Sequence, residues 1–261
     1  SDLLAEQFRP AALVLHAFSA EVSRIKYLVS EPIPGEIRLQ WWHDLIRSGG
    51  NADAGPVANE LLHVIEKNNL PKEAFLGLLD AKTFDLYHDP MPDVATLEGY
   101  LGESVSIIYQ LLFLCSDEVD DAAIGAEASG HAGVAIGATQ ILTEIAASRT
   151  RKQVYVPVDM LRADDLDANS WLYEKPDVRH FNTVLAFSEF AEKHLDSARS
   201  LVDQLKPSTR KIFLPLALVP ASLKKIRRSG QVIQRTCAAY PYPACGYVCP
   251  VQRWSRIDAV W

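Results

Sequence analysis

No stretch of this chain approaches the roughly 20 consecutive apolar residues that a membrane-spanning helix requires, so an integral membrane protein built from such helices is not expected. Cysteine is scarce. The four residues fall at 115, 237, 245 and 249, with no Cys-x-x-Cys pair among them. Cys237, Cys245 and Cys249 share a proline-containing stretch, but no histidine stands beside them to complete a zinc set, and reduced thiols are the expectation. Positive charge is also in deficit: 26 Lys and Arg against 33 Asp and Glu leave a net charge of -7, which removes the electrostatic footprint for nucleic acid. Ser1-Asp2-Leu3-Leu4 has neither a basic region nor an apolar core, so no secretory signal is read there, and a bacterial cytoplasm or a mitochondrial matrix fits the composition. Strand-like alternation is short as well, with Gln153-Val154-Tyr155-Val156 the one good candidate.

What remains is helical periodicity. Leu13, Ala17, Val22, Ile25 and Val29 recur at three- to five-residue steps and predict an apolar stripe on a first helix. Ser30-Glu31-Pro32 stops it, because the residue before a proline is pushed out of the α region. Pro34 suits a new helical start, with Ile37, Trp41 and Leu45 following at i, i+4 and i+8 and Ser48-Gly49-Gly50 ending the run. Further helices are predicted over 57–67, 71–87, 97–115, 127–147 and 178–205, then a shorter pair over 212–218 and 221–228. With no repeat, no low-complexity segment and no linker before Gly230, the chain reads as one all-α helical domain over 1–230 followed by a Pro- and Cys-containing extension, 231–261.

Charged and aromatic residues concentrate near the first helix break. Glu21 and Arg24 lie three apart and can pair. Glu31 sits at the break, and Glu36, Arg38 and Gln40 precede Trp41 and Trp42. An arginine among carboxylates in an aromatic frame describes either a buried network that sets helix register or an anion site. Carboxylates at i, i+4 on one helical face can share magnesium ions that hold a diphosphate. That spacing occurs at Asp85 and Asp89 and at Asp117 and Asp121. Asp89 precedes Pro90 at a helix end that disfavours negative charge, and helix capping accounts for the second pair. In the glycine-rich run, Gly130, Gly133 and Gly137 suit close helix packing, or room for an isoprenoid-sized ligand. His131 reads as a hydrogen-bonded core histidine ahead of a ligand or base. Arg149, Arg151 and Lys152 form either an anion site or an exposed loop, and Lys224 to Arg228 is either a solvated face or a contact with anionic lipid.

These residues carry a resemblance. Ala17-Phe18, the stretch from Gly130 to Leu142, and Gln153-Val154-Tyr155-Val156-Pro157 together resemble the squalene/phytoene synthase family of head-to-head prenyl synthases, over the chain up to its tail. The resemblance implies an isoprenoid-synthase-like helical bundle around a central cavity. In active enzymes of that family an Asp-rich segment follows the position of Ala17-Phe18; here the segment carries Ser23, Arg24 and Tyr27 and no aspartate. The second Asp-rich motif is implied at Glu144 and Ser148, so one carboxylate survives. Val29-Ser30-Glu31-Pro32, Gly35, Arg38-Leu39-Gln40-Trp41-Trp42 and Asp85-Leu86-Tyr87 look most like a divergent branch that includes the mitochondrial assembly factor of respiratory complex I.

Three readings follow. The first is a catalytically degenerate member that assembles or binds, its pocket candidates being Glu21, Arg24, Glu31, Glu36, Arg38, Gln40, Trp41, His131, Gln140, Glu144, Arg151 and Tyr155. An isoprenoid or diphosphate ligand, and respiratory-complex subunits or assembly proteins, are its implied partners, with no cofactor. The second is a magnesium-dependent transferase acting on farnesyl or geranylgeranyl diphosphate, with Asp85, Asp89 and Glu144 as metal ligands. The third is a protein-interaction module whose cavity has filled with side chains.

Overall fold

The computed structural model describes residues 8–50, 54–116 and 121–238, with side chains up to 228. The zinc reading of the three C-terminal cysteines rests on side chains outside those described, and the acidic run from Asp117 to Asp120 lies outside the described residues. The all-α expectation is met: helices run in series and no strand occurs among the described residues. The described residues cluster into two compact units, one of 8–50, 54–87, 99–116, 121–134 and 194–215 and the other of 88–98, 135–193 and 216–238.

The first unit begins with α1 (Arg9–Leu28) and α2 (Pro32–Ser48). Val29 is extended, Glu31 is extended as the residue before a proline is driven to be, and Pro32 takes the opening position of α2 in place of Pro34. Gly49 ends α2 in the left-handed region at φ 81°, donating its N–H to the Leu45 carbonyl. The buried face of α1 is Leu15, Phe18, Val22 and Ile25. Leu13 is 55 % exposed, because it lies half a turn from Phe18 on a 3.6-residue helix. On α2 the core face is Leu39, Trp42 and Ile46, whereas Ile37 and Trp41 point outward. Phe18 meets Trp42 edge-on at 5.1 Å and Phe75 at 5.7 Å. Phe75 belongs to α4 (Lys72–Thr83), which follows α3 (Pro56–Lys67).

α4 runs into a 3-10 turn, Phe84–Leu86, so the helix predicted to Tyr87 tightens before it ends. The helix predicted over 97–115 is α5 (Val94–Leu101), a π-helical stretch Gly102–Ser106 and α6 (Ile107–Leu114). This π stretch sits against the glycines of α7 (Ala122–Thr143). The Ser106 hydroxyl donates to the Gly130 carbonyl at 2.9 Å, and a Cβ at Gly133 would fall 2.3 Å from the Ser106 Cα. Gly133 therefore serves close backbone approach here.

In the second unit α7 ends and, after Glu144, α8 (Ile145–Thr150) begins. The candidate strand 153–156 is an extended, buried connection rather than a sheet member. Met91 holds it, its N–H donating to Val154 and its carbonyl accepting from Val158. Two short helices, α9 (Val158–Ala163) and α10 (Ala168–Tyr173), lead to α11 (Val178–Val202). Trp171 stacks on the buried His180 ring at 5.6 Å. His180 in turn meets Asp177 Oδ1 at 2.9 Å. α12 (Pro207–Arg210), a 3-10 run (Lys211–Leu218) and α13 (Val219–Ala238) complete the described chain.

Two outcomes follow. Gly133→Ala forces a methyl into the Ser106 backbone and is expected to cost about 1–3 kcal/mol or more of stability, read from the urea midpoint. Burial pushes the Asp177 carboxyl up, but hydrogen bonds from His180 and Arg179 outweigh it and hold the pKa at about 2, below the ordinary 3.8. A depressed folded-state pKa stabilises above the ordinary value and loses that contribution as pH falls toward 2. Asp177→Ala is therefore expected to lower the urea midpoint at pH 7, with the gap to the parent closing between pH 4 and 2.

Candidate functional site

Because Phe18 and Trp42 fill the space between α1 and α2, the neighbouring faces of the two helices are left as an open groove of about 460 Å³. Its floor is Ile25 and Trp42; its walls are Leu28, Ile37 and Trp41; its charges are Glu21, Arg24 and Arg38. Trp41 lies edge-on to Trp42 at 5.0 Å and is 45 % exposed, so two adjacent tryptophans divide between core and rim. Arg24 and Arg38 have no hydrogen-bond or ion-pair partner among the described residues. Glu21 and Arg24 do not pair despite their spacing, which fits the small gain of an ion pair open to water.

The six-residue network expected around the helix break is not assembled. Glu36 accepts from the Tyr87 hydroxyl, which raises the Tyr87 pKa, first through that hydrogen bond. Gln40 donates to Asp44 at 2.8 Å, one turn along the same helix. Glu31 is exposed at the start of α2 with its side chain making no cap. Four candidates, Glu21, Arg24, Arg38 and Trp41, share the groove, and the sequence signal that missed its two apolar walls, Leu28 and Ile37, was the assignment of Ile37 to the core.

Asp85 has a different setting. It is 3 % exposed, with Lys82 Nζ at 3.4 Å and Lys26 Nζ at 3.9 Å. Tyr100 accepts a hydrogen bond from Lys82 at 2.8 Å and donates one to Asp85 Oδ1 at 2.7 Å. Asp89 is exposed and belongs to the other compact unit, because the chain leaves the helix at Tyr87 (φ -106°, ψ 163°) and the i, i+4 spacing is not helical. Asp121, the described end of the other acidic pattern, accepts from the Lys206 N–H and the Thr209 hydroxyl and so caps the start of α12. His131 Nδ1 lies 3.0 Å from His194 Nδ1, a contact between α7 and α11.

The remaining candidates fall in the second unit. Gln140 and Glu144 are exposed near the α7–α8 break, Arg151 is half-buried and Tyr155 is buried in the extended connection. Arg149 donates to the carbonyls of Leu172 and Glu174, closing the end of α10, and burial lowers its pKa. In the Lys224 to Arg228 run, Leu223 and Ile226 are buried, and Arg227 pairs with Glu192 at 2.5 Å. No three His, Cys, Asp or Glu side chains among the described residues form a group that could hold a metal ion.

This helical architecture is the isoprenoid-synthase fold. It matches the crystal structure of the squalene synthase HpnC from Alicyclobacillus acidocaldarius with a TM-score of 0.72 at 19% identity, covering 88% of this chain and 86% of that one. A dehydrosqualene synthase in complex with ligand matches with a TM-score of 0.66 at 11% identity, over 99% and 87% of the two chains. The family model for squalene/phytoene synthase matches residues 1–239, and the chain belongs to that family. Among curated proteins it is similar to "NADH dehydrogenase (ubiquinone) complex I, assembly factor 6" of Rattus norvegicus, 27% identical over 231 residues, covering 87% of this chain and 68% of that protein. The Drosophila melanogaster homologue is 28% identical over 238 residues, covering 87% and 70%.

Removing the carboxylate from the Lys82–Tyr100 cluster takes the counter-charge from the buried Lys82 ammonium and one from the half-buried Lys26. Asp85→Ala is expected to cost about 3–5 kcal/mol in chemical denaturation, and magnesium is expected to leave the parent's midpoint unchanged.

Proposed function

We propose that this chain is a catalytically degenerate member of the squalene/phytoene synthase family, acting as an assembly-type factor for respiratory complex I and not as a prenyl synthase. The observation that carries the reading is Arg24. It stands in the α1–α2 groove with no partner among the described residues, within the segment where the family resemblance implies metal-binding aspartates. A guanidinium there repels the magnesium ions that such a segment would hold.

The residues present do not fit that magnesium cluster. Asp85, the one buried carboxylate among the weak metal candidates, already faces two lysine ammonium groups, and a divalent cation would have to displace them. Glu36 is committed to Tyr87. No ionisation step on an allylic diphosphate is therefore derived from these side chains. The names of the similar proteins from Rattus norvegicus and Drosophila melanogaster support complex I components as the class of partner. No helix among the described residues is long and apolar enough to cross a membrane. The compartment, bacterial cytoplasm or mitochondrial matrix, follows that of the partner. Glu21, Arg24, Arg38 and Trp41 are the side chains proposed to meet what the protein binds.

Incubation with farnesyl diphosphate and magnesium, followed by extraction and mass spectrometry, is expected to yield no coupled C30 product. In cells lacking the gene, native gels are expected to show less assembled complex I. Turnover of the diphosphate, or an unchanged level of the complex, would overturn the reading.

A further inference from the structure

We propose that the groove between α1 and α2 is the docking site for an amphipathic helix of a partner protein whose apolar stripe is flanked by carboxylates. The proposal rests on the assembly reading above and names the kind of segment such a factor would hold. Its geometric basis is the outer face of α2. Ile33, Ile37 and Trp41 recur at i, i+4 and i+8 with exposures of 67, 65 and 45 %. At 1.5 Å per residue that row is about 12 Å long, the length of two turns of a facing helix. Leu28, 53 % exposed on the last turn of α1, forms the opposite wall. Together they present apolar surface on the order of 400 Å², the size at which a patch on a monomer marks an interaction site. A concave channel between two helices, floored by Ile25 and Trp42, accepts the ridge of a third helix as helix-in-groove recognition does.

Charge selects the occupant. The groove holds two guanidiniums without partners among the described residues and one carboxylate, Glu21. Carboxylates flanking the incoming apolar stripe would meet Arg24 and Arg38 in bidentate geometry, while a single basic residue opposite Glu21 would fix the register. An anionic lipid surface fits less well. Glu31 and Asp44 are exposed on or beside the same two helices and would be pressed against its headgroups. The outward placement of Ile37 makes it replaceable without disturbing the core, so its variant reports on docking and not on folding.

The test uses the full chain and a stapled helical peptide of roughly 18 residues with leucines along one face, in two versions with flanking glutamates or flanking lysines. Fluorescence anisotropy is expected to show the glutamate peptide binding about tenfold or more tighter than the lysine peptide. Ile37→Glu is expected to remove that binding. The pair Arg24→Glu and Arg38→Glu is expected to reverse the preference toward the lysine peptide, an outcome that misfolding cannot mimic. Equal binding of the two peptides, or binding of neither, would overturn the proposal. So would co-sedimentation with phosphatidylcholine vesicles carrying roughly a fifth phosphatidylglycerol that is lost in Ile37→Glu, which would assign the face to a membrane. Concentration-dependent self-association lost in Ile37→Glu would overturn it in favour of a second copy of this chain. Turnover of farnesyl diphosphate is measured separately, so failure of the peptide to bind and failure of the assembly reading are distinguishable.

Discussion

The side chain on which the first unit depends is Phe18. It is fully buried and meets Trp42 and Phe75 edge-on, one ring contributed by each of α1, α2 and α4. Edge-to-face aromatic pairs hold a preferred angle as well as a distance, so the contact fixes the rotation of each helix about its own axis. Once Trp42 is turned inward, Trp41 and Ile37 must turn outward, because they lie 100° and more around the same helix. Once Phe18 is inward, Arg24 and Leu28 face α2 across open space. The groove and its two guanidiniums are thus consequences of one aromatic cluster.

The break before α2 and the stop after it were legible because they rest on local chemistry. The helix opens at Pro32 and not Pro34, however, and the short α9 and α10 lie outside the predicted helices. Pro32 and Gly49 act through φ alone, and the break and the stop lie where those residues put them. The phase of each apolar stripe was not legible. α1 and α2 carry large apolar residues on two faces, and period counting selects a stripe without saying which one the fold buries. Leu13, Ile37 and Trp41 were therefore assigned inward. Only the partner helices decide between the stripes, and their position is tertiary information. The π-helical stretch at Gly102–Ser106 escaped for a similar reason. Nothing in its own residues demands an extra residue per turn; the constraint comes from α7, whose glycine backbone lies against Ser106.

The candidate site was legible as a frame and not as a constellation. Proximity in sequence brought Glu31, Glu36 and Gln40 into one list with Arg24 and Arg38. Each of the first three is then directed elsewhere by its own helix geometry: Glu36 toward Tyr87, Gln40 down the helix to Asp44, and Glu31 out at the helix start. His131, read as a satisfied histidine, meets a second imidazole that lies 63 residues away and that no local pattern reveals.

The carboxylates among the described residues show what holds the frame together. A carboxylate already held by cationic or hydrogen-bond donors resists a divalent cation, which would have to displace or repel them. Asp85 is committed to two lysines and Tyr100, Asp121 to the start of α12, and Asp177 to His180 and Arg179 at the start of α11. Each of these arrangements ties together elements distant in the chain or caps a helix, so each is kept by folding stability alone. Among the described residues a guanidinium at Arg24 has no such structural duty, and a cation without a partner there gives the fold little in return. Hydrogen bonds within the fold therefore account for the placement of the acids but not for Arg24 and Arg38, which the proposed docking of an acidic partner helix would engage.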